Sequence, residues 1–214
     1  MSGMAGAWPA YKALRYRAFS WRHELPVAAK VALALGMAGA TGALAQVRVQ
    51  LPFTEVPVTG QTLGVLLSAV LLGKFYGGLS QALYVGLGAG GLHWFAGLTG
   101  GPAVLLGVTG GYLIGFVLAA GVVGSVSERY VCARRFWPQL ALMLFGSGLI
   151  LSCGALQYSL VMRTGAGVTL LRAVLPFLPG DIGKAVLAAG VSTALLPKGS
   201  YNGEVDASRY SGRL

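Results

Sequence analysis

Long apolar runs separated by short polar connections constrain this chain more than any other feature of its sequence. The runs cover about 25–46, 61–72, 75–91, 103–126, 138–161 and 174–196. A helix needs roughly 20 apolar residues to cross a bilayer, where no water satisfies the backbone. The sequence therefore predicts an all-α integral membrane protein with six transmembrane helices.

The charged fraction supports a membrane protein and argues against a nucleic-acid partner. Only 10% of the residues are charged and 55% are hydrophobic, whereas soluble domains carry about 25% charged residues. A net charge of +10 would suggest nucleic-acid binding in a soluble chain. Here the basic residues flank the apolar runs and form no stripe, so we predict no such partner. Cys132 and Cys153 lack zinc-ligand spacing, and no metal site is predicted.

The basic residues fall unequally on the two sides of the six predicted crossings. With the N-terminus inside, twelve lie inside (Lys12, Arg15, Arg17, Arg22, Lys30, Lys74, Arg129, Arg134, Arg135, Lys198, Arg209, Arg213) and three outside (Arg48, Arg163, Arg172). Because Lys and Arg accumulate in cytoplasmic loops, both termini are predicted to be cytoplasmic and the protein to lie in the inner (plasma) membrane. The predicted parts are a basic N-terminus at 1–24, a six-helix substrate-binding domain at 25–197 and a polar cytoplasmic tail at 198–214.

Two features mark the first half of the chain. The run 61–72 is short for a span and Lys74 follows it, so we predict a tight hairpin there. The first run ends in Ala43-Leu44-Ala45, which imitates a signal-peptidase site, but its length favours a retained helix. The loops predicted to face outside are 47–62, 92–102 and 162–173.

Two of the predicted helices carry stripes of small residues with a spacing of four. The first stripe contains Ala28, Ala32, Gly36 and Ala40, and the second contains Gly107, Gly111 and Gly115. Small residues allow two helices in a membrane to approach closely. Either stripe could pack within the chain, and the stripe on the first helix could instead contact a separate membrane subunit.

Asp181 and Lys184 are the one pair of ionisable residues well inside an apolar run. Charges in a membrane are costly, so such a pair is a candidate functional site. A separation of three residues places both on one face of a helix, and Pro179-Gly180 predicts that this helix begins just before them. Asp181 could bind a ligand, or it could cap the helix and pair with Lys184.

Polar and aromatic side chains near the predicted outer end could form a ligand pocket with this pair. The candidates are Thr59, Gln61, Tyr84, Trp94, Phe95 and Tyr112. Ligand pockets combine apolar walls with a few placed polar groups. Each aromatic residue, taken alone, is also typical of a membrane interface.

Motifs that resemble enzyme signatures are incomplete in this chain. Gly146-Ser147-Gly148 has no histidine base in a later helix, and Asp181 has no second membrane aspartate with which to form a dyad. Gly86-x-Gly88-x-x-Gly91 lies in a predicted membrane helix rather than in a strand-turn-helix. We therefore expect neither an enzyme nor a bound cofactor.

Four segments together resemble the BioY family, the biotin-binding S components of energy-coupling factor (ECF) vitamin transporters. They are LPFTEVPVTGQTLGVLLSAVLLG (51–73), YVGLGAGGLHWFAG (84–97), GVTGGYLIGFVLAA (107–120) and LPFLPGDIGKAVLAA (175–189). Two positions depart from the family pattern: Val108 replaces a proline, and His93-Trp94-Phe95 replaces Pro-Val-Phe. The resemblance implies an S-component-like helix bundle that binds biotin from outside and mediates its uptake.

The resemblance also implies roles for individual residues. Asp181 would accept hydrogen bonds from the ureido ring of biotin, and Lys184 would contact the carboxylate or balance Asp181. Further binding residues would be Thr59, Gln61, Tyr84, Trp94, Phe95, Thr109 and Tyr112.

Partner subunits follow from the same resemblance. They would be a transmembrane coupling subunit, docked on Ala28, Ala32 and Gly36, and two cytoplasmic ATPases. An S component or solitary carrier for a different small, vitamin-like ligand is the alternative.

Overall fold

The computed structural model describes residues 3–200 and 204–210, which form a bundle of α-helices. The helices are α1 (Gly3–Glu24), α2 (Val27–Gln46), α3 (Gln61–Ala89), α4 (Pro102–Leu106), α5 (Gly110–Arg129), α6 (Phe136–Met162), α7 (Ala166–Ala173) and α8 (Leu178–Leu195). Two short strands, β1 (Arg48–Val49) and β2 (Val58–Thr59), pair antiparallel between α2 and α3. Arg213 and residues 201–203 of the predicted tail lie outside the described residues.

Several of these helices are long and apolar enough to cross a membrane. Within the described residues, α2, α3, α5 and α6 meet this criterion, and α7 with α8 form a fifth span if their 53° bend is counted within one crossing. Large apolar side chains such as Leu156 and Leu187 are exposed on the bundle surface. Lipid, rather than water, suits such a surface. The chain is a mostly helical, multi-pass membrane protein.

Helix α3 doubles back on itself at Gly73. The Gln61 side-chain amide donates a hydrogen bond to the Tyr84 hydroxyl at 2.7 Å, and the Gln81 amide donates one to the Ser68 hydroxyl at 2.9 Å. A straight helix would hold residues 61 and 84 about 35 Å apart. Residues 61–72 and 74–89 are therefore two antiparallel segments, and the hairpin predicted beside Lys74 is confirmed.

Glu128 of α5 holds this reversal in place. Gly73 has φ 80° and ψ −174°, a backbone conformation that a residue with a side chain rarely adopts. A Cβ at this position would also lie 1.7 Å from a carboxylate oxygen of Glu128. The Lys74 backbone N–H donates to the same carboxylate at 3.1 Å. The turn therefore depends on a glycine at 73 and an acceptor at 128.

The long helical segments run alternately between two ends of the bundle. Lys30 of α2, Lys74 of α3 and Arg129 of α5 line one cavity. Arg48 and Lys184 line a second cavity that is built from the opposite ends of these segments. Lys30, Lys74 and Arg129, which the sequence assigns to one side, thus lie at one end, and Arg48, which it assigns to the other side, lies at the opposite end.

Two predicted segments differ from the structure. The run 103–126 is not one helix, because residues 107–109 break it into α4 and α5. The Gln157 amide donates to the carbonyls of Leu105 and Gly107 at 2.6 and 2.7 Å, so the break leaves these acceptors satisfied. The connection 162–173 contains a helix, α7, whose Thr169 and Ala173 are buried.

The two ends of the chain also carry structure that its apolar pattern did not indicate. Residues before the first span form α1, whose Arg15 guanidinium donates to the Thr193 carbonyl at 2.8 Å. In the polar tail, Glu204 forms a buried ion pair with Arg134 at 2.7 Å. Asp206 accepts hydrogen bonds from the backbone N–H groups of Val131 and Cys132. Both terminal segments therefore pack against the same end of the bundle.

The two stripes of small residues have opposite surroundings. On α5, a Cβ at Gly111 would lie 2.3 Å from the Cys153 carbonyl oxygen, and one at Gly115 would lie 2.9 Å from Ile150 Cα. On α2, Ala28, Ala32 and Gly36 are exposed, and nothing lies within 4 Å of a Cβ placed at Gly36. The α5 stripe packs against α6, whereas the α2 stripe faces away from the chain.

Candidate ligand-binding site

A cavity of about 360 Å³ lies between the β1–β2 hairpin, α3, α5, α6 and α8. This volume is within the range of roughly 300–1,000 Å³ that is usual for small-molecule sites. Its apolar walls include Val104, Leu113, Phe116, Ile150, Leu151 and Phe177. Polar side chains enter from α3, α5 and α8, so the cavity can orient a ligand as well as enclose it.

Asp181 and Lys184 form an ion pair in the wall of this cavity. Their Oδ1 and Nζ atoms are 2.6 Å apart, and only 6% and 14% of the two side chains are exposed. The Lys184 ammonium also donates to the Thr59 carbonyl at 2.8 Å. In the described part of the chain, the second carboxylate oxygen of Asp181 has no hydrogen-bond partner. This oxygen is an acceptor available to a ligand.

Asp181 lies in the first turn of α8 but does not cap it. The N-cap residue is Phe177, and no side chain caps this helix end. The Asp181 backbone N–H instead donates to the Phe177 carbonyl at 2.8 Å. Of the two structural roles considered for Asp181, pairing with Lys184 is observed and capping is not.

A row of hydrogen bonds continues from this pair across the hairpin to α3. The Thr59 hydroxyl donates to the Gln61 amide oxygen at 2.8 Å. The Gln61 amide nitrogen donates to the Tyr84 hydroxyl at 2.7 Å, and that hydroxyl donates to the Trp94 carbonyl at 3.3 Å. The row fixes the orientation of the Gln61 amide, one face of which borders the cavity.

The structure brings together most of the residues predicted to bind ligand. Those that line the cavity are Thr59, Gln61, Phe95, Thr109, Tyr112, Asp181 and Lys184. Tyr84 and Trp94 do not line it, which differs from the prediction that they form its wall. Tyr84 is fully buried behind Gln61, and the Trp94 indole N–H donates to the Tyr84 carbonyl at 2.9 Å. These two residues support the wall from behind.

Glycines on neighbouring helices make room for two of the aromatic rings that line the cavity, Phe95 and Tyr112. A Cβ at Gly88 would lie 2.1 Å from the Phe95 ring, and one at Gly154 would lie 2.3 Å from the Tyr112 ring. The Tyr112 hydroxyl donates to the Ala173 carbonyl at 2.7 Å, which ties α5 to α7. Gly88, which belongs to the nucleotide-like glycine pattern, therefore serves packing.

The segment 50–57 covers the cavity and is fastened to α6 and α7. The Tyr158 hydroxyl donates to a Glu55 carboxylate oxygen at 2.5 Å, and Arg172 pairs with the other oxygen at 3.3 Å. The Thr54 hydroxyl donates to the Arg172 carbonyl at 2.7 Å. The hydrogen bond from Tyr158, with Arg172 beside it, lowers the pKa of Glu55 below its usual value. The cover is therefore held by an ionised carboxylate.

The sequence did not single out Arg48 or Glu55 as site residues, although both line the cavity. Arg48 was recognised only as one of three basic residues on the predicted outer side. The small number of basic residues on that side is a usable signal, because Arg48 lines the cavity and Arg172 pairs with Glu55 of its cover. The apolar wall residues could not be identified from the sequence, since residues of the same types form the core of any membrane protein.

Comparison with known proteins places this architecture in a family. The model of the BioY family matches residues 16–200. The chain belongs to the BioY family. A probable biotin transporter BioY from Methanothermobacter thermautotrophicus is 44% identical over 153 residues, which cover 68% of this chain and 98% of the relative. The biotin transporter BioY from Thermotoga maritima is 40% identical over 147 residues, which cover 69% and 85%.

A solved structure extends the comparison to the fold. The S-component for biotin from an ECF-type ABC transporter superimposes with a TM-score of 0.73 at 26% identity, over 78% of this chain and 90% of that one. The relatives bear the names of transporters and of a transporter S-component rather than of enzymes. Val108, where the family pattern has proline, lies in the break between α4 and α5 that Gln157 satisfies. The break therefore forms without the proline.

Proposed function

We propose that this chain binds biotin in the cavity beside Asp181 and mediates its uptake as the S component of an ECF-type transporter. The observation that carries the proposal is a buried carboxylate with one unpaired oxygen facing an apolar cavity, in a chain of the BioY family. A neutral ring with N–H donors complements such a site. The names of the BioY relatives and of the superimposed S-component support biotin as that ligand.

The chemistry of biotin matches the distribution of groups around the cavity. Its ureido N–H groups would donate to Asp181, and charge-assisted hydrogen bonds of this kind are worth about 1.5–3 kcal/mol. Its thioether ring and alkyl tail would lie against Phe95, Tyr112 and the apolar walls. Its carboxylate would approach Lys184 or Arg48, which both line the cavity. Lys184 already contacts Asp181 and Thr59, so Arg48 has more donor groups left to bind the biotin carboxylate.

Six membrane crossings with both termini in the cytoplasm are part of the proposal. The two segments of α3 would be separate crossings, an arrangement that the reversal at Gly73 supports. With α2, α5, α6 and α8 this makes six. The cluster of basic residues at the end opposite the cavity supports a cytoplasmic location for that end. Residues 1–24 and 198–214 would then flank a substrate-binding domain at 25–197.

The proposed partners are a transmembrane coupling subunit and two cytoplasmic ATPases. The resemblance to the S component of an ECF-type ABC transporter supports a multi-subunit assembly. The open stripe of Ala28, Ala32 and Gly36 supports docking through α2. In lipid, helices associate where small residues permit close backbone contact.

Substitution of Asp181 by asparagine tests the proposed function. Asp181→Asn keeps the size of the side chain but removes its charge, so biotin affinity should fall roughly 10- to 150-fold. Purified protein would be titrated with biotin by calorimetry. Asp206→Asn is the matched control, because Asp206 binds backbone N–H groups at the other end of the bundle. Unchanged affinity in a folded Asp181→Asn protein would contradict the assignment.

Competition separates biotin from the alternative of another small, vitamin-like ligand. Labelled biotin bound to the unmodified protein should be displaced by unlabelled biotin and not by thiamin or riboflavin. Equal displacement by either vitamin, or an absence of saturable biotin binding, would favour the alternative.

A further inference from the structure

A second cavity, of about 420 Å³, lies at the end of the bundle opposite the proposed biotin site. It is bordered by the end of α1, the start of α2, the turn of α3 at Gly73 and the end of α5. Neither the family resemblance nor the proposed function uses it. Its lining differs from that of the first cavity in both charge and position.

Positive charge exceeds negative charge around this cavity. Arg22, Lys30, Lys74 and Arg129 line it together with a single carboxylate, Glu128. Glu128 lies 3.8 Å from the Arg22 guanidinium and accepts the Lys74 backbone N–H. Over residues 3–200 and 204–210, neither the Lys74 ammonium nor the Arg129 guanidinium pairs with a carboxylate. The excess of positive charge is therefore available to an anion.

The pKa of His23, which also lines this cavity, responds to the same positive charges. Burial, together with the nearby cations Arg22, Lys30 and Arg134 and against the opposing effect of Glu204, lowers the pKa of His23 to about 4. His23 is therefore neutral near pH 7 and adds no charge to the cavity. The neighbouring Arg134 is already paired with Glu204 at 2.7 Å, so Glu204 does not offset the charges of Lys30, Lys74 and Arg129.

One side of the cavity is apolar. Leu33, Leu72 and Phe75 line it next to the cations, and 66% of the Phe75 side chain is exposed. The Lys30 ammonium lies 5.9 Å from the Tyr76 ring centroid and donates to the His23 carbonyl at 2.8 Å, which holds it at the cavity. A basic pocket beside exposed apolar side chains at a helix end matches the junction of a lipid headgroup and its acyl chains.

We propose that this cavity binds the headgroup of an anionic phospholipid. The phosphodiester lies against Lys30, Lys74 and Arg129, and an acyl chain runs from the cavity over Phe75 along α3. Such a lipid would contact α2, α3 and α5 at once, beside Arg22 and His23 of α1. The proposal does not depend on biotin as the ligand of the other cavity.

Native mass spectrometry of the purified protein tests this site. Samples would receive dioleoyl phosphatidylglycerol, dioleoyl phosphatidylcholine or water-soluble glycerol phosphate at equal concentrations. The unmodified protein should retain phosphatidylglycerol in preference to the other two. Each basic residue near an anionic lipid contributes about fivefold in affinity, so a Lys30→Gln, Lys74→Gln, Arg129→Gln variant should lose roughly 100-fold.

Arg135→Gln and Arg163→Gln are the control variants, because both residues are exposed cations that do not line the cavity. Their lipid retention should be unchanged. Equal retention of phosphatidylcholine and phosphatidylglycerol would overturn the proposal, as would full phosphatidylglycerol retention in the triple variant. Equal binding of glycerol phosphate would show a phosphate site without lipid specificity and would also overturn it. A triple variant that fails to purify would be replaced by Lys74→Gln alone, for which about a fivefold loss is expected.

Discussion

Two helices of this protein carry the same spacing of small residues and use it in opposite ways. Gly111 and Gly115 of α5 let α6 approach so closely that its backbone would overlap any side chain at these positions. Ala28, Ala32 and Gly36 of α2 have the same spacing, but they are exposed. A spacing of four thus indicates close approach without indicating which partner approaches.

The buried face of α2 lies on the other side of that helix. It includes Ala34, Ala38, Thr41, Gly42 and Ala45. The helix is therefore already packed on α3 through one set of small residues while a second set remains open. Close packing on one face and openness on the other are what a helix shared between this chain and a partner subunit requires.

The largest effect is expected for a leucine on the packed stripe. A Cβ at Gly111 would lie 2.3 Å from the carbonyl oxygen of Cys153, and a backbone atom of a helix cannot move aside cheaply. Gly111→Leu should therefore destabilise the fold by about 3 kcal/mol or more. The midpoint of thermal unfolding in detergent measures this. Gly121→Leu on the same helix is the control, since a Cβ there meets nothing within 4 Å. Equal unfolding midpoints for Gly111→Leu and Gly121→Leu would contradict close packing of the α5 stripe against α6.

A smaller effect is expected on the buried face of α2. A Cβ at Gly42 would lie 3.3 Å from the Trp94 side chain, which can shift where a backbone cannot. Gly42→Leu should cost about 1–3 kcal/mol and weaken the hydrogen bond from the Trp94 indole to the Tyr84 carbonyl. Biotin affinity should fall with it, since that contact supports Gln61. A change in stability with no change in tryptophan fluorescence would contradict this route.

The smallest effect on stability is expected on the open stripe. Gly36→Leu should change the unfolding midpoint and biotin affinity very little, because the new side chain meets only lipid. Co-purification with the coupling subunit and ATP-dependent uptake should nevertheless be reduced. Gly148→Leu on α6, another exposed glycine with nothing within 4 Å of its Cβ, is the control and should leave both unchanged. Normal assembly in Gly36→Leu would exclude the stripe as a docking surface.

Hydropathy and charge predicted much of this fold because the bilayer imposes both patterns directly. The spans α2 and α6 and the reversal beside Lys74 follow from apolar length and from one charge between two runs. The break at 107–109 could not be predicted in this way, because it depends on Gln157, a residue 50 positions from Gly107. Helix α1 was not predicted either, because it is held by contacts such as that of Arg15 with the Thr193 carbonyl rather than by an apolar face.

The candidate site was predicted as a set of residues and not as an arrangement. Asp181 and Lys184 stood out because ionisable groups are rare inside apolar runs. The contact of Lys184 with the Thr59 carbonyl joins residues 125 positions apart, which spacing along one helix cannot reveal. Tyr84 illustrates the same limit. Its residue type predicts a place in the cavity wall, but it is fully buried and supports Gln61 from behind.

The bond from Lys184 to Thr59 also has a consequence for the timing of synthesis. The hairpin that carries Thr59 leaves the ribosome long before α8. The cavity therefore stays incomplete until α8, which forms its last wall, has been synthesised. A nascent chain that ends before residue 181 lacks both the proposed ligand acceptor, Asp181, and the cation that binds the hairpin, Lys184. Competence to retain ligand should therefore arise only when the final helix has been translated and inserted, and a ligand present during synthesis would select completed chains.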